Sequence, residues 1–157
     1  MAVVIAAPAS GSGKTLISLA LLSWARARGE SVQPFKVGPD YLDPQLLSEA
    51  AGRSCRNLDL NLCGEPWVRK AFHGYGGSGS MALIEGVMGL FDGIGSTEEG
   101  STAAVARLLN LPVVLVVDAG GQAASLGALV GGFRDHDPTL NVAGVVINRV
   151  NSDRHRA

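Results

Sequence analysis

The chain has 157 residues, a formal net charge of −1 and 46% hydrophobic residues. This length is typical of a single domain with a real core, and the nearly balanced charge argues against a basic surface for nucleic acid or an anionic membrane. The strongest apolar run, Val113 to Val117, lies between Pro112 and Asp118 and is far too short to span a bilayer. The apolar N-terminus lacks the basic start and the cleavage site of a signal peptide. We therefore expect a cytoplasmic protein that binds neither nucleic acid nor a membrane.

The first predicted strand, Ala2 to Ala7, leads into a glycine-rich loop and then into a helix from Lys14 to about Arg28. A helix N-terminus leaves backbone N–H groups unpaired, and glycine lets the backbone curl around an anion, so this order predicts a phosphate-binding loop. In such a loop Lys14 reaches the β- and γ-phosphates and Thr15 offers its hydroxyl to Mg²⁺. The residues predicted to hold the nucleotide are Ser10, Gly11, Ser12, Gly13, Lys14 and Thr15.

Three positions of this loop bear on the class of nucleotide-binding protein. The common pattern has glycine where this chain has Pro8, so the start of the loop departs from the pattern. A dinucleotide-binding fingerprint would need a third glycine at the position of Leu16. The dimerising partitioning ATPases carry an extra lysine at the position of Ala9, which argues against that group.

The remaining elements are predicted from apolar periodicity and turn residues. A strand from Ser31 to Val37 ends in Gly38 to Pro44, where two prolines predict an ordered, extended loop and no helix. Val87 to Gly95 is too rich in glycine for a strand and too apolar for a solvated linker, so we interpret it as a site loop. Further strands are predicted at 81–84, 112–118 and 142–147, further helices at 45–51, 65–72, 122–133 and, capped by Ser101, up to Leu109, and a surface loop at 74–79.

Strands that alternate with helices predict an α/β fold, a three-layer P-loop NTPase-like domain with a mostly parallel central sheet and helices on both faces. Ligands of such sheets bind beyond the carboxyl ends of the strands. The polar residues predicted to lie there are Lys14, Thr15, Asp40, Glu85, Asp92 and Asn148. Since Mg²⁺ takes one or two carboxylates along with phosphates and water, we predict Asp40 and Glu85 as its ligands. Asp118 is the alternative metal carboxylate.

Two segments bear on whether the nucleotide base is guanine or adenine, and they do not decide between the two. Asp118 to Gly121 and Asn148 to Asn151 stand at places comparable to the D-x-x-G and N-K-x-D motifs of small GTPases. A guanine site is disfavoured because Asn151 replaces the carboxylate that accepts the guanine hydrogens, and a nucleotide-switch protein is kept as a second interpretation. The Asn148 amide could pair with the N6 and N7 edge of adenine, or it could cap the last strand.

The cysteines, the histidines and Tyr41 are residue types that often bind metals or substrates, but they form no common motif in this chain. Cys55 and Cys63 lack metal-ligand spacing and are too few for a disulfide framework, so we expect reduced thiols with no chemical role. The three histidines, at positions 73, 136 and 155, share no motif and receive no role. Tyr41 could line a polar substrate pocket or could serve as a packing residue.

Longer stretches of the chain are specific enough to indicate a family. They are Pro34 to Pro44 (PFKVGPDYLDP), Ser54 to Asp59 (SCRNLD), Glu85 to Gly93 (EGVMGLFDG), and Gly144 to Arg149 with Ser152, Arg154 and His155. These motifs closely resemble the cobyrinic acid a,c-diamide synthase family, and the resemblance covers nearly the whole chain. It implies a phosphate-loop fold shared with dethiobiotin synthetase and an enzyme that amidates carboxylates of a corrin precursor.

The resemblance also implies a role for individual residues. The catalytic set that it implies is Lys14, Asp40, Glu85 and Asp92. The implied Mg²⁺ ligands are Thr15, Asp40 and Glu85. The residues implied to face the corrinoid are Tyr41, Leu42 and Asp92, while Asn148 would contact the adenine.

The implied reaction uses ATP, Mg²⁺ and glutamine. The a and c carboxylates of cobyrinic or hydrogenobyrinic acid would attack the γ-phosphate, and ammonia would then displace phosphate from each acyl phosphate. Family members carry a C-terminal glutamine amidotransferase domain, so residues 1–157 are predicted to be a truncated N-terminal synthetase domain that cannot use glutamine by itself. A nickel sirohydrochlorin a,c-diamide synthase is the alternative within the same family, and a homodimer is left open.

Overall fold

The computed structural model describes residues 1–77 and 81–152 of the chain. Its strands are β1 (Ala2–Ala6), β2 (Val32–Val37), β3 (Arg56–Leu58), β4 (Met81–Glu85), β5 (Val113–Asp118) and β6 (Val142–Asn148). Its helices are α1 (Lys14–Ala27), α2 (Asp43–Ala51), α3 (Leu60–Gly76), α4 (Thr102–Leu109) and α5 (Ser125–His136). Across these described residues, no helix has both the length and the apolar character needed to cross a bilayer.

The strands form one parallel sheet in the order β3-β2-β4-β1-β5-β6. The first strand lies in the middle, where Ile5 is in register with Glu85 of β4 on one side and with Val114 of β5 on the other. Parallel strands carry side chains buried on both faces, which explains why β1 and β5 appear in the sequence as continuous apolar runs. The predicted parallel α/β fold is confirmed.

Two apolar clusters, one on each face of the sheet, confirm the three layers. Helices α1 and α2 cover one face with Leu22, Ala25 and Leu47. Helices α3, α4 and α5 cover the other face, where Val68 and Val105 are fully buried. Because successive residues of a strand point to opposite faces, each central strand contributes to both clusters.

The segments that follow β1 and β4, two neighbouring strands of the sheet, run to opposite faces. The segment after β1 leads into α1 on one face of the sheet, whereas the segment after β4 leads to α4 on the other face. This divergence opens a crevice at the carboxyl ends of the two strands, the place where open α/β sheets bind ligands.

The start of α2 differs from the sequence prediction. We expected Gly38 to Pro44 to be extended, but the helix begins at Asp43 and includes Pro44 in its first turn. The prediction was wrong because the first turn of a helix has no intrahelical acceptor for its N–H groups, so a proline there removes no helical hydrogen bond.

Strand β3 and the first turn of α3 were missed. The strand has three residues with Leu58 as its one buried apolar side chain, and such a short run gives no periodic signal. Helix α3 begins before the predicted residue 65 because the Asp59 carboxylate caps it, accepting hydrogen bonds from the N–H groups of Asn61 and Leu62 at 2.9 and 3.0 Å. A kink at Gly64, where φ is 75°, separates this first turn from the part that we predicted.

The end of α3 corrects the predicted surface loop. Gly74 and Gly76 lie within the helix, and Gly77 follows it as the cap. The helix continues through these glycines because Val68 and Ala71 anchor it to the core. Residues 78–79 of the predicted loop lie outside the described residues. Helix α5 also begins and ends later than predicted, whereas the Ser101 cap of α4 is confirmed by a 3.1 Å bond from the N–H of Ala104.

Candidate functional site

The loop between β1 and α1 has the backbone shape of a phosphate-binding loop. Helix α1 begins at Lys14, directly after Gly13, whose φ of 102° is a conformation that favours glycine. A Cβ at position 13 would also lie 2.2 Å from the Nδ2 atom of Asn148. The Ser12 hydroxyl donates a 2.9 Å hydrogen bond to the Ala9 carbonyl and closes the loop. The helix therefore presents its unpaired N–H groups to this loop even though Pro8 replaces the usual glycine.

Lys14 crosses the crevice to the loop that follows β4. Its Nζ donates to the Met88 carbonyl at 2.6 Å and to the Ala9 carbonyl at 3.4 Å. Burial, aided by the positive charge of Lys36, lowers the pKa of the Lys14 amine. A phosphate bound in the loop would place a negative charge beside the buried Lys14 amine and would thereby stabilise its charged form.

Glu85, at the end of β4, lies in the centre of the crevice. It is fully buried, and its Oε1 accepts hydrogen bonds from the Thr15 hydroxyl at 3.0 Å and from Lys36 Nζ at 2.8 Å. Its Oε2 is buried and has no hydrogen-bond partner within the described part of the chain. A buried carboxylate oxygen without a partner is unfavourable, so this atom is suited to a cation or a donor that arrives with the ligand.

Lys36 links the carboxylates of the crevice, and the sequence analysis gave it no role. Besides Glu85, its Nζ donates to Asp43 Oδ2 at 2.7 Å and to the Gly86 carbonyl at 3.1 Å, and it lies 3.7 Å from Asp40 Oδ2. Burial alone would lower the pKa of the Lys36 amine, but the charge of Glu85 and the hydrogen bonds to Asp43 and Glu85 outweigh it and raise the pKa. A lysine inside a strand that is otherwise buried was the signal that could have identified it.

The donor set around Lys36 fits a magnesium ion. Asp40, Asp43 and Glu85 place three carboxylates around the amine of Lys36. Within residues 1–77 and 81–152, no three acidic, histidine or cysteine side chains are arranged to hold a metal by themselves. Mg²⁺ needs only one or two carboxylates, because nucleotide phosphates and water complete its shell. Glu85 meets that requirement, since its Oε2 has no partner in the described part of the chain and its Oε1 contacts the Thr15 hydroxyl.

Asp40 has a structural contact in addition to its predicted role. Its Oδ1 accepts from the N–H groups of Leu42 and Asp43 at 3.0 and 3.2 Å, which shapes the turn into α2. The side chain of Asn57, a residue that the sequence analysis missed, donates to the carbonyls of Gly38 and Asp40 at 2.8 and 2.9 Å. The missed strand β3 therefore fixes the loop that carries Asp40.

The predicted substrate-facing residues lie around the mouth of the crevice. Tyr41 and Leu42 follow Asp40 directly and are largely exposed. Asp92 is exposed, and its Oδ2 accepts a 2.9 Å bond from the Gly89 N–H within the loop after β4. That loop is anchored to the sheet, since the N–H of Leu90 donates to the Ala7 carbonyl at 2.8 Å. The structure thus brings Tyr41, Leu42 and Asp92 to the same edge of the sheet as the phosphate loop.

The loop after β6 contacts the other side of the phosphate loop. Asn148 Nδ2 donates to the Ser12 carbonyl at 2.9 Å, and its Oδ1 accepts from the Arg149 N–H at 2.9 Å, so both ends of this side-chain amide are engaged within the protein. Arg149, which the sequence analysis gave no role, pairs with Asp118 and donates to the Gly11 carbonyl at 3.0 Å. The other oxygen of Asp118 accepts from the Gly120 N–H. Both Asp118 oxygens are engaged there, whereas Glu85 Oε2 has no partner among the described residues, so the geometry favours Glu85 over Asp118 as a metal ligand.

Acid is expected to weaken the fold through Asp43. Partial burial alone would raise the pKa of this carboxyl, but the hydrogen bond and charge of Lys36 outweigh it and lower the pKa. Its contribution to stability is therefore full above the unfolded-state pKa of about 3.9 and is lost as the pH falls through the lower folded-state value. We expect urea unfolding of Asp43→Asn to differ from wild type by a constant amount at neutral pH and to converge with it in acid. The exposed Glu30→Gln variant should show no such difference, and a pH-independent gap for Asp43→Asn would contradict the assignment.

Comparisons with known proteins identify the family of this chain. The family model described as CobQ/CobB/MinD/ParA nucleotide binding domain, CbiA, matches residues 3–157. Cobyrinate a,c-diamide synthase of Gloeobacter violaceus is 53% identical over 156 residues, which cover 99% of this chain and 34% of that protein. Hydrogenobyrinate a,c-diamide synthase of Streptomyces coelicolor is 54% identical over 156 residues, covering 98% of this chain and 32% of that protein.

The chain thus spans about a third of the length of these relatives. Among solved structures, chloroplast FtsY from Physcomitrella patens is 16% identical, with a TM-score of 0.60, and the match covers 93% of this chain and 48% of that one. An identity this low supports the fold alone. The family model, in contrast, covers nearly every residue that forms the crevice. The chain therefore belongs to the CbiA family of CobQ/CobB/MinD/ParA nucleotide binding domains, and the resemblance of its motifs to cobyrinic acid a,c-diamide synthase is confirmed.

Proposed function

We propose that the chain is the ATP-binding synthetase domain of an enzyme that amidates the a and c carboxylates of cobyrinate or hydrogenobyrinate. The names of relatives at 53% and 54% identity support this substrate class. The observation that carries the proposal is the bond between the Thr15 hydroxyl and buried Glu85 at the mouth of a phosphate loop. This bond lies in the same crevice as Lys14 and as the Glu85 oxygen that has no partner among the described residues, an arrangement that would suit phosphate and Mg²⁺.

The residues of the crevice suit the activation of a carboxylate by ATP. A carboxylate is a poor acyl electrophile, so one of its oxygens attacks the γ-phosphorus while the bond to the β-phosphate oxygen breaks and ADP leaves. Lys14 and the N–H groups at the start of α1 offset the charge that spreads over the transferring phosphoryl group. Thr15, Glu85 and Asp40 would hold Mg²⁺, which supplies further positive charge beside the phosphates.

Ammonia then completes the amide. It attacks the carbonyl carbon of the acyl phosphate, the bond to the phosphate oxygen breaks, and a proton passes to solvent. The relatives are about three times as long as this chain, and we propose that a glutamine amidotransferase domain of the full-length protein supplies the ammonia. The isolated chain is then expected to show no glutaminase activity, and ammonium salts would be its nitrogen source.

Replacing Lys14 by Ala is expected to weaken nucleotide binding by about 10- to 100-fold, because a charge-assisted contact with the phosphates is lost. The measurement is isothermal titration with a non-hydrolysable ATP analogue and Mg²⁺, beside the GTP analogue. Lys70→Ala, an exposed lysine on α3, is the matched control and should bind as wild type does.

Each outcome of this titration has a defined meaning. Binding of the ATP analogue in preference to the GTP analogue, weakened in Lys14→Ala, supports the phosphate loop and a site that prefers adenine. A preference for the GTP analogue would contradict the ATP-dependent ligase and favour the nucleotide-switch interpretation. Amidation of nickel sirohydrochlorin in place of the cobyrinates would contradict the proposed substrate.

A further inference from the structure

A pocket of about 380 Å³ adjoins the loop that carries Asp40 and runs along the edge strand β3 and helix α3. We call it the β3 pocket and define it by Tyr41, Arg56, Asp59, Cys63, Trp67 and Tyr75. Except for Tyr41, none of these residues was given a role in catalysis or in ligand binding. Asp40 and Tyr41, which also lie at the mouth of the crevice, are part of the pocket wall, so the pocket adjoins the proposed active site.

The rim of the β3 pocket is unusually aromatic for a solvent-exposed surface. Tyr41 is 82% exposed, and Trp67 and Tyr75 are 43% and 45% exposed. Leu62, which also lines the pocket, is 76% exposed. A cluster of exposed large apolar side chains around a cavity is typical of a surface that contacts a ligand with an apolar face.

Arg56 provides an oriented positive charge inside this pocket. Its guanidinium lies over the Tyr75 ring, 4.5 Å from the centroid, which holds the side chain in one direction. In the stretches that the structure describes, no carboxylate forms an ion pair with it. A planar guanidinium that is stacked but unpaired is well suited to bind a carboxylate of a ligand.

Asp59 provides a buried acceptor in the wall of the same pocket. The residue is 4% exposed, and its Oδ1 is used to cap α3. Its Oδ2 is buried and lacks a hydrogen-bond partner among the residues described. A buried carboxylate oxygen in this state is unfavourable, and a ligand N–H would relieve it.

We propose that the β3 pocket binds the rim of the tetrapyrrole substrate and reads its amidation state. Arg56 pairs with a peripheral carboxylate that is not reacting, and the exposed aromatic rings contact the face of the macrocycle. Asp59 Oδ2 accepts a hydrogen bond from the N–H of the carboxamide made in the first round, when the second carboxylate lies beside Asp40. This inference rests on the proposed function, since forming a diamide requires the enzyme to bind a monoamide.

Arg56 and Asp59 both line this one pocket. A carboxylate and an N–H donor carried by one ligand could therefore contact the two residues together. The charges are also complementary, because the positive Arg56 would contact a carboxylate and the negative Asp59 would accept from an N–H donor.

Cys63 offers a native reporter of occupancy. It is an exposed thiol that lines the pocket, whereas burial raises the pKa of the neighbouring Cys55 thiol to about 12 and keeps it protonated. Alkylation at pH 8 is therefore expected to modify Cys63 first. Cobyrinic acid at saturating concentration should slow this reaction at least about 10-fold.

Titration with cobyrinic acid and with its monoamide tests the proposal in the presence of the ATP analogue and Mg²⁺. Arg56→Ala is expected to weaken binding of both compounds by about 10- to 100-fold without changing affinity for the ATP analogue. Arg69→Ala, an exposed arginine on α3 outside the pocket, is the matched control. Asp59→Asn should keep the cap of α3, which thermal unfolding can check, while it replaces one carboxylate oxygen by a donor. The preference for the monoamide over the diacid should then fall about 10-fold.

The outcomes separate this inference from the proposed function. If wild type binds cobyrinic acid but Arg56→Ala binds it equally well and Cys63 is not protected, the pocket is not the site and the proposed function stands. If Asp59→Asn leaves the monoamide preference unchanged, the pocket does not read the amide. If wild type binds the ATP analogue but neither tetrapyrrole, the proposed substrate and this inference both fail.

Discussion

Replacing Lys36 by Met is expected to lower the free energy of unfolding by about 3–5 kcal/mol, the typical effect of removing one partner from a buried ion pair. The reason is that Glu85 is fully buried and that Lys36 Nζ, at 2.8 Å, is its one ion-pair partner among the described residues. Without that amine the buried carboxylate either stays charged without its ion-pair partner or takes up a proton, and both states are unfavourable. Urea unfolding at neutral pH, followed by circular dichroism, measures the change.

The double variant Lys36→Met/Glu85→Gln is the sharpest control for this prediction. It removes both charges, so it should be more stable than Lys36→Met alone even though it carries an additional substitution. Glu85→Gln alone should be milder than Lys36→Met, because Lys36 keeps Asp43 at 2.7 Å. A Lys36→Met protein that unfolds within about 1 kcal/mol of wild type would show that the amine does not balance Glu85.

Replacing Glu85 by Gln is expected to weaken metal binding beside the nucleotide on the order of 100-fold, because the affinity of hard cations depends on the number of charged oxygen ligands. The proposed ion would use Glu85 Oε2, which has no hydrogen-bond partner among the residues that the structure describes. Paramagnetic resonance of Mn²⁺, used in place of Mg²⁺ and titrated in the presence of the ATP analogue, measures the affinity directly.

The matched control for the metal is Glu49→Gln, which changes an exposed carboxylate on α2. It should bind Mn²⁺ and nucleotide as wild type does. If Glu85→Gln also bound Mn²⁺ normally, Glu85 would not be a ligand, and its burial would have to be explained by its pairing with Lys36 alone.

Much of the fold followed from local patterns in the sequence. The order of strand, glycine loop and helix around Lys14 predicted the position of the phosphate loop, and the apolar runs predicted five of the six strands. Because the carboxyl ends of parallel strands lie at one edge of the sheet, the same patterns also predicted that Thr15, Asp40, Glu85 and Asn148 lie at that edge. These features are set by residues that are near one another in the chain, which is why they can be predicted from it.

Other parts of the fold depended on contacts that no local pattern contains. Strand β3 exists because it pairs with β2, and its own three residues would not have predicted it. The last turns of α3 run through glycines because the helix is held by its packing against the core. In both places tertiary contacts outweigh local propensity.

The features of the site also divide into those that the local sequence predicts and those that depend on tertiary contacts. The sequence by itself determined that this chain has a phosphate loop, an α/β sheet and acidic residues at the ends of its strands. Only the tertiary structure decided that Lys36 balances Glu85 across 49 positions of sequence, that Arg149 engages Asp118, and that Arg56 and Asp59 line one pocket. The physical reason is that ion pairing and burial depend on distances in space, and strand order, which brings β2 beside β4, sets those distances only when the sheet forms.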